Sequence, residues 1–276
     1  MTLAYAYRLS ASLAGWGQVM GMNTTLVINS KGGSGKTTIA TNLASFFASQ
    51  GVPTTIMDYD PQGSSLNWLR LRSSTAARLY GANAAPQRGG RIRSIEMHVP
   101  ADTRQLLIDA PAGASGLLMQ EMLSNTNCIV IPVAPSAFDI YATANFVKDL
   151  LLVGRIRTRN IRLAVVANRV RSSAPVYRPL ERFLSSLGLP FLTRISDSSL
   201  YVTAAETGVG VFEMDASVAA AERDEFMPII DWMGGQRTPD AATEGKVIDL
   251  PQARWSEKNR AAPLSRPGLS SMSGLS

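Results

Sequence analysis

The sequence predicts a doubly wound α/β domain, in which a mostly parallel sheet carries helices on both faces. From Thr24 onward, short runs of β-branched and aliphatic residues alternate with longer stretches of helical pattern, which is typical of parallel strands joined by crossover helices. Several of the short runs, such as LLID, CIVIPV and RLAVVAN, are apolar without alternation. Strands that are covered by helices on both faces have this composition.

Six strands and six helices are expected between residues 25 and 233. The first strand runs into a glycine-rich loop that opens the first helix, the second and third strands each end in an aspartate, and the fifth ends in an asparagine. The strands are predicted at residues 25–29, 54–58, 105–109, 128–133, 162–168 and 191–194. The helices are predicted at residues 36–49, 64–72, 115–124, 137–152, 176–187 and 216–233.

The composition excludes several protein classes. The chain has one cysteine, Cys128, and one histidine, His98, which argues against a disulfide framework, a Cys-ligated cluster and a His-rich metal site. No apolar run of 18 residues is present, so no transmembrane helix is predicted. A mean hydropathy of +0.04 fits a globular protein, which we expect in the reducing cytoplasm.

Three segments are expected along the chain. Residues 1–21 form an N-terminal extension, expected to be poorly ordered, whose short interrupted apolar run does not fit a signal peptide and which could precede the true start at Met22. Residues 22–234 form the α/β domain. In residues 235–276, Gly, Pro and Ser make up 14 of 42 residues, so we expect a disordered tail, either inert or carrying a short docking motif.

A glycine-rich run from Asn29 to Thr38 follows the first strand and opens the first helix, which is the setting of a phosphate-binding loop. Successive backbone N–H groups can converge there on one anion. Lys36 would pair with the β- and γ-phosphates, Thr37 would ligate Mg²⁺, and Thr38 would reach the α-phosphate. The loop departs from the standard Walker A pattern, because Ser30 replaces a glycine and a second lysine, Lys31, follows it.

This deviant loop, K-G-G-x-G-K-T-T, resembles that of the ParA/MinD family of P-loop ATPases, and further segments share the resemblance in family order. Asp58 to Gly63 is similar to the D-x-D-P-Q-G segment, residues 106–111 to the Walker B strand, residues 166–169 to the adenine-contact strand end, and residues 207–213 to the late G-x-x-V-F-E segment. The chain most resembles the ParA-type partition and positioning ATPases, including McdA-like carboxysome-positioning members.

The resemblance implies a magnesium-dependent ATPase with ATP and Mg²⁺ as cofactors. Two subunits would sandwich two ATP molecules, with Lys31 of each reaching the phosphates bound by the other. Asp60 would position the attacking water, while Asp58 would lie near the metal and the switch region as a further catalytic and metal-site candidate. Asp109 would hold Mg²⁺ through water, together with Thr37. A helix cap or a surface ion pair is the alternative role for each carboxylate.

The nucleotide itself is expected to contact the loop and one strand end. Asn168 is the candidate for the adenine contact, although a strand-end asparagine is often only a turn former, and Arg169 is a second candidate. The loop residues expected to bind the cofactor are Gly32, Gly33, Ser34, Gly35, Lys36, Thr37 and Thr38.

Basic residues are concentrated in one part of the chain. Residues 151–195 contain one acidic residue, Glu181, and nine arginines, at positions 155, 157, 159, 162, 169, 171, 178, 182 and 194. In a family with DNA-binding partition members, this predicts non-specific binding of double-stranded DNA through its phosphates. An ordinary solvated basic surface is the alternative.

The function expected from these features is an ATPase that dimerises with ATP, binds the nucleoid and positions a cargo through an adaptor protein that stimulates hydrolysis. The alternative is an ATP-switched regulator of a cell-envelope or secretion complex that does not use DNA. Membrane binding is not expected, because prolines interrupt the tail where cell-division members carry an amphipathic helix.

Overall fold

The computed structural model describes residues 21–86, 97–153, 156, 160–171 and 188–234. Its strands are β1 (Asn23–Val27), β2 (Thr54–Asp58), β3 (Tyr80–Asn83), β4 (Gln105–Asp109), β5 (Cys128–Val133), β6 (Arg162–Val170) and β7 (Phe191–Ser196). They form one sheet in the order β3-β2-β4-β1-β5-β6-β7, and every pairing is parallel. The sheet is therefore of the predicted class.

Helices cover both faces of this sheet, which confirms the doubly wound fold. They are α1 (Lys36–Ser49), α2 (Ser64–Leu71), α3 (Gly116–Leu123), α4 (Ala137–Val153), α5 (Ser199–Thr207) and α6 (Ala220–Met233). One core lies between the sheet and α3 and α4, and the other lies between the opposite face and α1, α2, α5 and α6. None of the helices in the described ranges combines the length and the apolar character needed to span a bilayer.

The register of the central strands brings two carboxylates together at one edge. Asp58 of β2 lies beside Asp109 of β4, and Asp109 lies beside Val27 of β1. Because all the strands run the same way, the loop that follows β1 leaves the sheet at this same edge. The crevice beyond the carboxyl ends of parallel strands is where doubly wound proteins bind ligands.

One strand and one helix of the structure were not among the predicted elements. β3 is short and contains Gly81 and Asn83, residues that favour turns. Its position is fixed by packing, since a Cβ at Gly81 would lie 2.8 Å from the side chains of Leu66 and Leu69. The N-cap of α5 is Ser198, whose side chain accepts a hydrogen bond from the backbone N–H of Leu200, and the sequence analysis did not use this signal.

Other predicted boundaries shift by a few residues. The largest shift is in α6, which begins at Ala220 instead of residue 216 because Asp215 forms a turn ahead of it. Its carboxylate accepts from the N–H and hydroxyl of Ser217, and its carbonyl accepts from Val218 and Ala219. The predicted helix at 176–187, the tail at 235–276 and residues 1–20 of the extension lie outside the described residues.

A buried ion pair fastens the end of α2 to the segment between α5 and α6. Arg72 makes two hydrogen bonds to the Glu213 carboxylate, of 2.8 and 2.5 Å, and the two side chains are 6% and 10% exposed. Arg72 also donates to the carbonyls of Gly208 and Ala77, while Glu213 accepts from the N–H of Gly210. Glu213 of the G-x-x-V-F-E segment therefore has a structural role, because it joins this segment to the end of α2.

We expect Glu213→Gln to lower the free energy of unfolding by about 3 kcal/mol, because it leaves the buried Arg72 guanidinium without its charged partner. Asp197→Asn is the matched control, since it removes the carboxylate of an exposed pair with Arg171 and should cost less than about 1 kcal/mol. Urea unfolding of both variants measures the difference. Equal losses in the two variants would contradict the structural role of the Arg72–Glu213 pair.

Candidate nucleotide-binding site

The loop between β1 and α1 folds tightly at two glycines. Gly33 and Gly35 have φ angles of +75° and +91°, in the left-handed region that favours glycine. A Cβ at Gly35 would lie 1.8 Å from the side-chain nitrogen of Asn168, so no other residue fits there without displacing Asn168. Gly35 is the N-cap of α1, and the turn therefore sets the free N–H groups of that helix at the loop.

Asn168 and Arg169 approach this loop from the end of β6. The register between β6 and β7 shifts between Ala167 and Val170, so β6 bulges at Asn168 and Arg169. Asn168 Nδ2 donates to the carbonyl of Ser34 at 2.7 Å, and Arg169 Nη1 donates to that of Gly33 at 3.5 Å. Both candidates thus lie at the site, but the contact that Asn168 makes is to the phosphate loop itself.

The two lysines of the loop have different environments. Lys36 is 7% exposed, and its ammonium donates to the carbonyl of Lys31 at 2.9 Å. Burial lowers the pKa of Lys36, although the carboxylates of Asp109 and Asp60 counteract this shift. The Lys31 side chain is half-buried and forms no ion pair in the described ranges of the chain. Lys36 is therefore enclosed by the loop, whereas Lys31 is partly exposed.

Oxygen atoms suited to Mg²⁺ lie beside the first turn of α1. The hydroxyl of Thr37 donates to Asp109 Oδ2 at 2.8 Å, which leaves the hydroxyl lone pairs available. Asp109 Oδ1 is buried and has no hydrogen-bond partner among the described residues. Mg²⁺ in nucleotide sites is held by few protein oxygens together with phosphates and water. The Thr37 hydroxyl and the unpartnered oxygen of Asp109 fit this arrangement.

Burial makes Asp109 an unusual carboxyl group. Its pKa is raised from 3.8 to about 7, first by desolvation and then by the neighbouring charge of Asp58, against the opposing effects of Thr37 and Lys36. A carboxylate with this pKa is costly to keep ionised in the metal-free fold. A cation at the unpartnered oxygen would remove that cost.

The two aspartates of the D-x-D-P-Q-G segment have different contacts. Asp58 is 1% exposed, and its oxygens accept hydrogen bonds from the backbone of Asp60, Ser65 and Leu66 and from the Ser65 hydroxyl. It therefore serves the start of α2, the helix-cap alternative named above. Asp60 Oδ1 accepts from the N–H of Gln62, and its other oxygen makes no hydrogen bond in the described ranges. Of the two, Asp60 has the oxygen that could contact a water molecule.

Every predicted site residue lies at this edge of the sheet, including Gly32, which is exposed, and Thr38, in the first turn of α1. Sequence reasoning overlooked Asn29, whose buried side chain joins the loop to Pro132 of β5 and Thr143 of α4. A polar residue that directly follows an apolar strand was the signal that could have identified it.

The arginines of residues 151–195 do not form one uniform surface. Arg162 donates to the carbonyls of Trp232 and Met233 and so binds the end of α6, while Arg171 pairs with Asp197. Arg169 contacts the phosphate loop, as described above, and Arg194 is exposed. The arginines at 155, 157, 159, 178 and 182 lie outside the described residues. Arg162 also donates to the buried thiol of Cys128, whose pKa is raised by burial.

Comparison with known proteins identifies the family of this nucleotide-binding geometry. A family model described as the CobQ/CobB/MinD/ParA nucleotide binding domain matches residues 25–211. The maintenance of carboxysome distribution protein A of Halothiobacillus neapolitanus is 27% identical over 213 residues, which cover 75% of this chain and 94% of that protein.

Two solved structures illustrate the similarity of fold. An ATP complex of Cyanothece McdA with an aspartate-to-alanine substitution has a TM-score of 0.57 at 14% identity, covering 79% of this chain and 98% of that one. The MinD cell division protein of Aquifex aeolicus has a TM-score of 0.58 at 18% identity, with the same coverage of 79% and 98%.

The raised pKa of Asp109 predicts how the stability of the metal-free protein depends on pH. Between its ordinary pKa of 3.8 and its folded pKa of about 7, the folded state holds this proton more strongly than the unfolded state does. Asp109 therefore destabilises the fold as the pH rises through this window. Relative to wild type, Asp109→Asn should gain stability from about pH 5 to about pH 8 in urea unfolding without magnesium and nucleotide.

Asp102→Asn, in an exposed loop, controls for the loss of one negative charge. An Asp109→Asn variant whose stability relative to wild type is the same at both pH values would contradict the assigned burial of this carboxyl group.

Proposed function

The chain belongs to the CobQ/CobB/MinD/ParA family of nucleotide-binding domains, and on that premise we propose that it positions a large cargo as an ATP-dependent dimer. As a family member it is a nucleotide-binding ATPase that uses ATP and Mg²⁺. In the proposed cycle, the ATP-bound dimer binds nucleoid DNA non-specifically in the cytoplasm. An adaptor protein then stimulates hydrolysis, and the dimer is released from the DNA.

The observation that carries this proposal is the division between the two loop lysines. Lys36 is enclosed by its own loop and is placed to neutralise the phosphates of its own nucleotide. Lys31 of the same loop is partly exposed and forms no ion pair in the described ranges, so its ammonium is available to a nucleotide held by a second subunit. A second copy would complete each site, and ATP would thereby control dimerisation.

The chain's own groups divide the chemistry of hydrolysis among them. Lys36 and the N–H groups at the start of α1 bind the phosphates, and Lys31 of the second subunit adds positive charge as the phosphoryl group transfers. Thr37 would ligate Mg²⁺ and Asp109 would hold it through water, and the metal would supply positive charge to the phosphates. Asp60 orients the attacking water through its free oxygen, and Asp58 fixes the start of α2 so that the Asp60 loop keeps its position.

The relative with the broad alignment supports a large assembly as the cargo. Halothiobacillus neapolitanus maintenance of carboxysome distribution protein A aligns over nearly its full length, so we extend its general role, the distribution of a large assembly, to this chain. Carboxysomes, plasmids and secretion complexes are all assemblies of this class. An adaptor protein that recognises one of these assemblies would determine which cargo is positioned.

A second candidate is a switch that controls a cell-envelope or secretion complex without DNA. The contacts of Arg162 and Arg171 favour it, since these two arginines bind groups within the chain and contribute less to a DNA-binding surface. The arginines at 155, 157 and 159 are the most closely spaced basic residues of this region, so they are the ones to test for DNA binding.

Lys36→Ala should abolish nucleotide binding, because the phosphates lose their main cation and the N–H groups alone bind weakly. Lys31→Ala is the matched control in the same loop: it should bind ATP as a monomer and fail to dimerise. Fluorescent-nucleotide titration and light scattering measure the two properties. Near-normal ATP affinity of Lys36→Ala would contradict the phosphate-loop assignment, and an ATP dimer of Lys31→Ala would contradict the cross-subunit role.

Asp60→Ala should retain ATP binding and lose hydrolysis, because the water loses its positioning group while the cations stay in place. Phosphate release at saturating ATP measures the turnover. A rate within about twofold of wild type, equivalent to about 0.4 kcal/mol of barrier, would exclude Asp60 as the catalytic carboxylate.

DNA binding separates the two candidate functions. Arbitrary duplex DNA should bind with ATP but not with ADP, and the affinity should fall steeply as salt is raised, because phosphate contacts release counterions. Replacing Arg155, Arg157 and Arg159 together with Glu should weaken binding strongly while hydrolysis without an adaptor is unchanged. A gel-shift titration decides: unaltered affinity would reassign this cluster to an ordinary surface, and a wild type that binds no DNA would favour the envelope switch.

A further inference from the structure

Asn29 stands at the point where β1 leaves the sheet and the phosphate loop begins. It directly follows Ile28, whose N–H donates to the carbonyl of Val130 of β5 at 3.1 Å. In a continued parallel ladder, the next bond would join the N–H of Ser30 to the carbonyl of Pro132. The chain turns away instead, and Asn29 Nδ2 donates to the Pro132 carbonyl at 2.7 Å. A side chain thus takes the place of a backbone donor where the strand ends.

The remaining bonds of this carboxamide connect the loop to α4. Asn29 is fully buried, and its second Nδ2 hydrogen is donated to the Thr143 hydroxyl at 3.1 Å. Its oxygen accepts from the N–H of Lys31 at 3.2 Å and from the Ser30 hydroxyl at 3.4 Å. Two donors on one side and an acceptor on the other are available in an amide side chain but not in a carboxylate or a hydroxyl.

These contacts fix the backbone of Lys31 from both directions. Its N–H is held by Asn29, and its carbonyl accepts from the Lys36 ammonium at 2.9 Å and from the Ser34 hydroxyl at 3.3 Å. The carbonyl of the preceding Ser30 accepts from the N–H of Gly113 at 2.9 Å. The backbone from which the Lys31 side chain departs is therefore held at its N–H, at its carbonyl and at the preceding carbonyl.

We propose that Asn29 is a positioning residue that aims Lys31 at the nucleotide of the second subunit. The proposal rests on the proposed function, since it assigns a cause to the cross-subunit reach of Lys31. Asn29 makes no contact with Lys36, Thr37 or Asp109 in the described structure, so its loss affects nucleotide binding within one subunit less than it affects dimerisation. Thr143 acts through Asn29 and has a smaller effect of the same kind.

The test compares two equilibria in the full chain. Affinity for a fluorescent ATP analogue is measured in dilute monomer, and the dimer dissociation constant with ATP is measured by sedimentation. We expect Asn29→Ala to weaken dimerisation at least about tenfold, a loss that one well-placed charged contact can cause, while ATP affinity changes by less than about threefold. In the Lys31→Ala background, the same substitution should have no further effect on dimerisation.

Asn127→Ala is the matched control, because Asn127 also bonds the backbone of β1 through its side chain, at the opposite end of the strand, where its oxygen accepts from the N–H of Thr24 at 2.7 Å. It should leave both equilibria unchanged. If Asn29→Ala does not fold, Thr143→Val removes one partner of the carboxamide with little change of shape, and a selective loss of dimerisation is then expected from it.

The outcomes separate this proposal from the one it rests on. A wild type that stays monomeric with ATP, or a Lys31→Ala variant that dimerises normally, would overturn the cross-subunit mechanism and this proposal with it. If wild type dimerises through Lys31 while Asn29→Ala matches Asn127→Ala, only the role of Asn29 is overturned. Equal losses of ATP affinity and dimerisation in Asn29→Ala would also overturn it, because Asn29 would then only support the loop.

Discussion

The left-handed turn at Gly35, closed by the side chain of Asn168, is the constraint on which the site depends. It lets the chain pass from β1 into α1 with the N-terminal N–H groups of the helix turned towards the loop. Asn168 fills the space that a Cβ would need and bonds the carbonyl of Ser34, so β6 holds the turn from the opposite side. The placement of Lys36 and Thr37 in the first turn of α1 follows from this turn.

Burying the charged groups of the site is costly, and a charged ligand would reduce that cost. Burial, and then the neighbouring charge of Asp58, raises the pKa of Asp109, while burial lowers the pKa of Lys36. The charges of Lys36 and Asp109 stabilise each other, but Asp109 Oδ1 lacks a hydrogen-bond partner among the described residues. A metal and phosphates would therefore bind charged groups that the fold has already positioned and removed from water.

The sequence predicted where the candidate site residues lie relative to the strands better than it predicted the peripheral elements of the fold. The glycine loop, the aspartates at the ends of β2 and β4 and the asparagine near the end of β6 sit at fixed places relative to buried strands, and apolar runs identify such strands well. β3 was missed because its four residues form a strand only through packing against α2, and α5 because a short helix gives a weak periodic signal.

What the sequence could not supply is the way in which side chains pair across the chain. The motif resemblance places Asp58 near the metal, but the structure shows that its oxygens accept hydrogen bonds from the start of α2. Arg162 counts as a basic residue in the sequence, whereas its guanidinium binds the end of a helix 70 positions away. The partners of Asn29 are likewise more than a hundred positions distant, on β5 and α4.

The most direct test of a site shared between two subunits is a mixing measurement. Lys31→Ala and Asp60→Ala are each expected to be inactive alone. In a mixed dimer, the site on the Lys31→Ala subunit keeps its own Asp60 and receives Lys31 from the Asp60→Ala subunit, so mixing the two variants with ATP should restore phosphate release. If Lys31 served only its own subunit, neither site would be complete. Absence of any restored hydrolysis in the mixture would contradict the shared site.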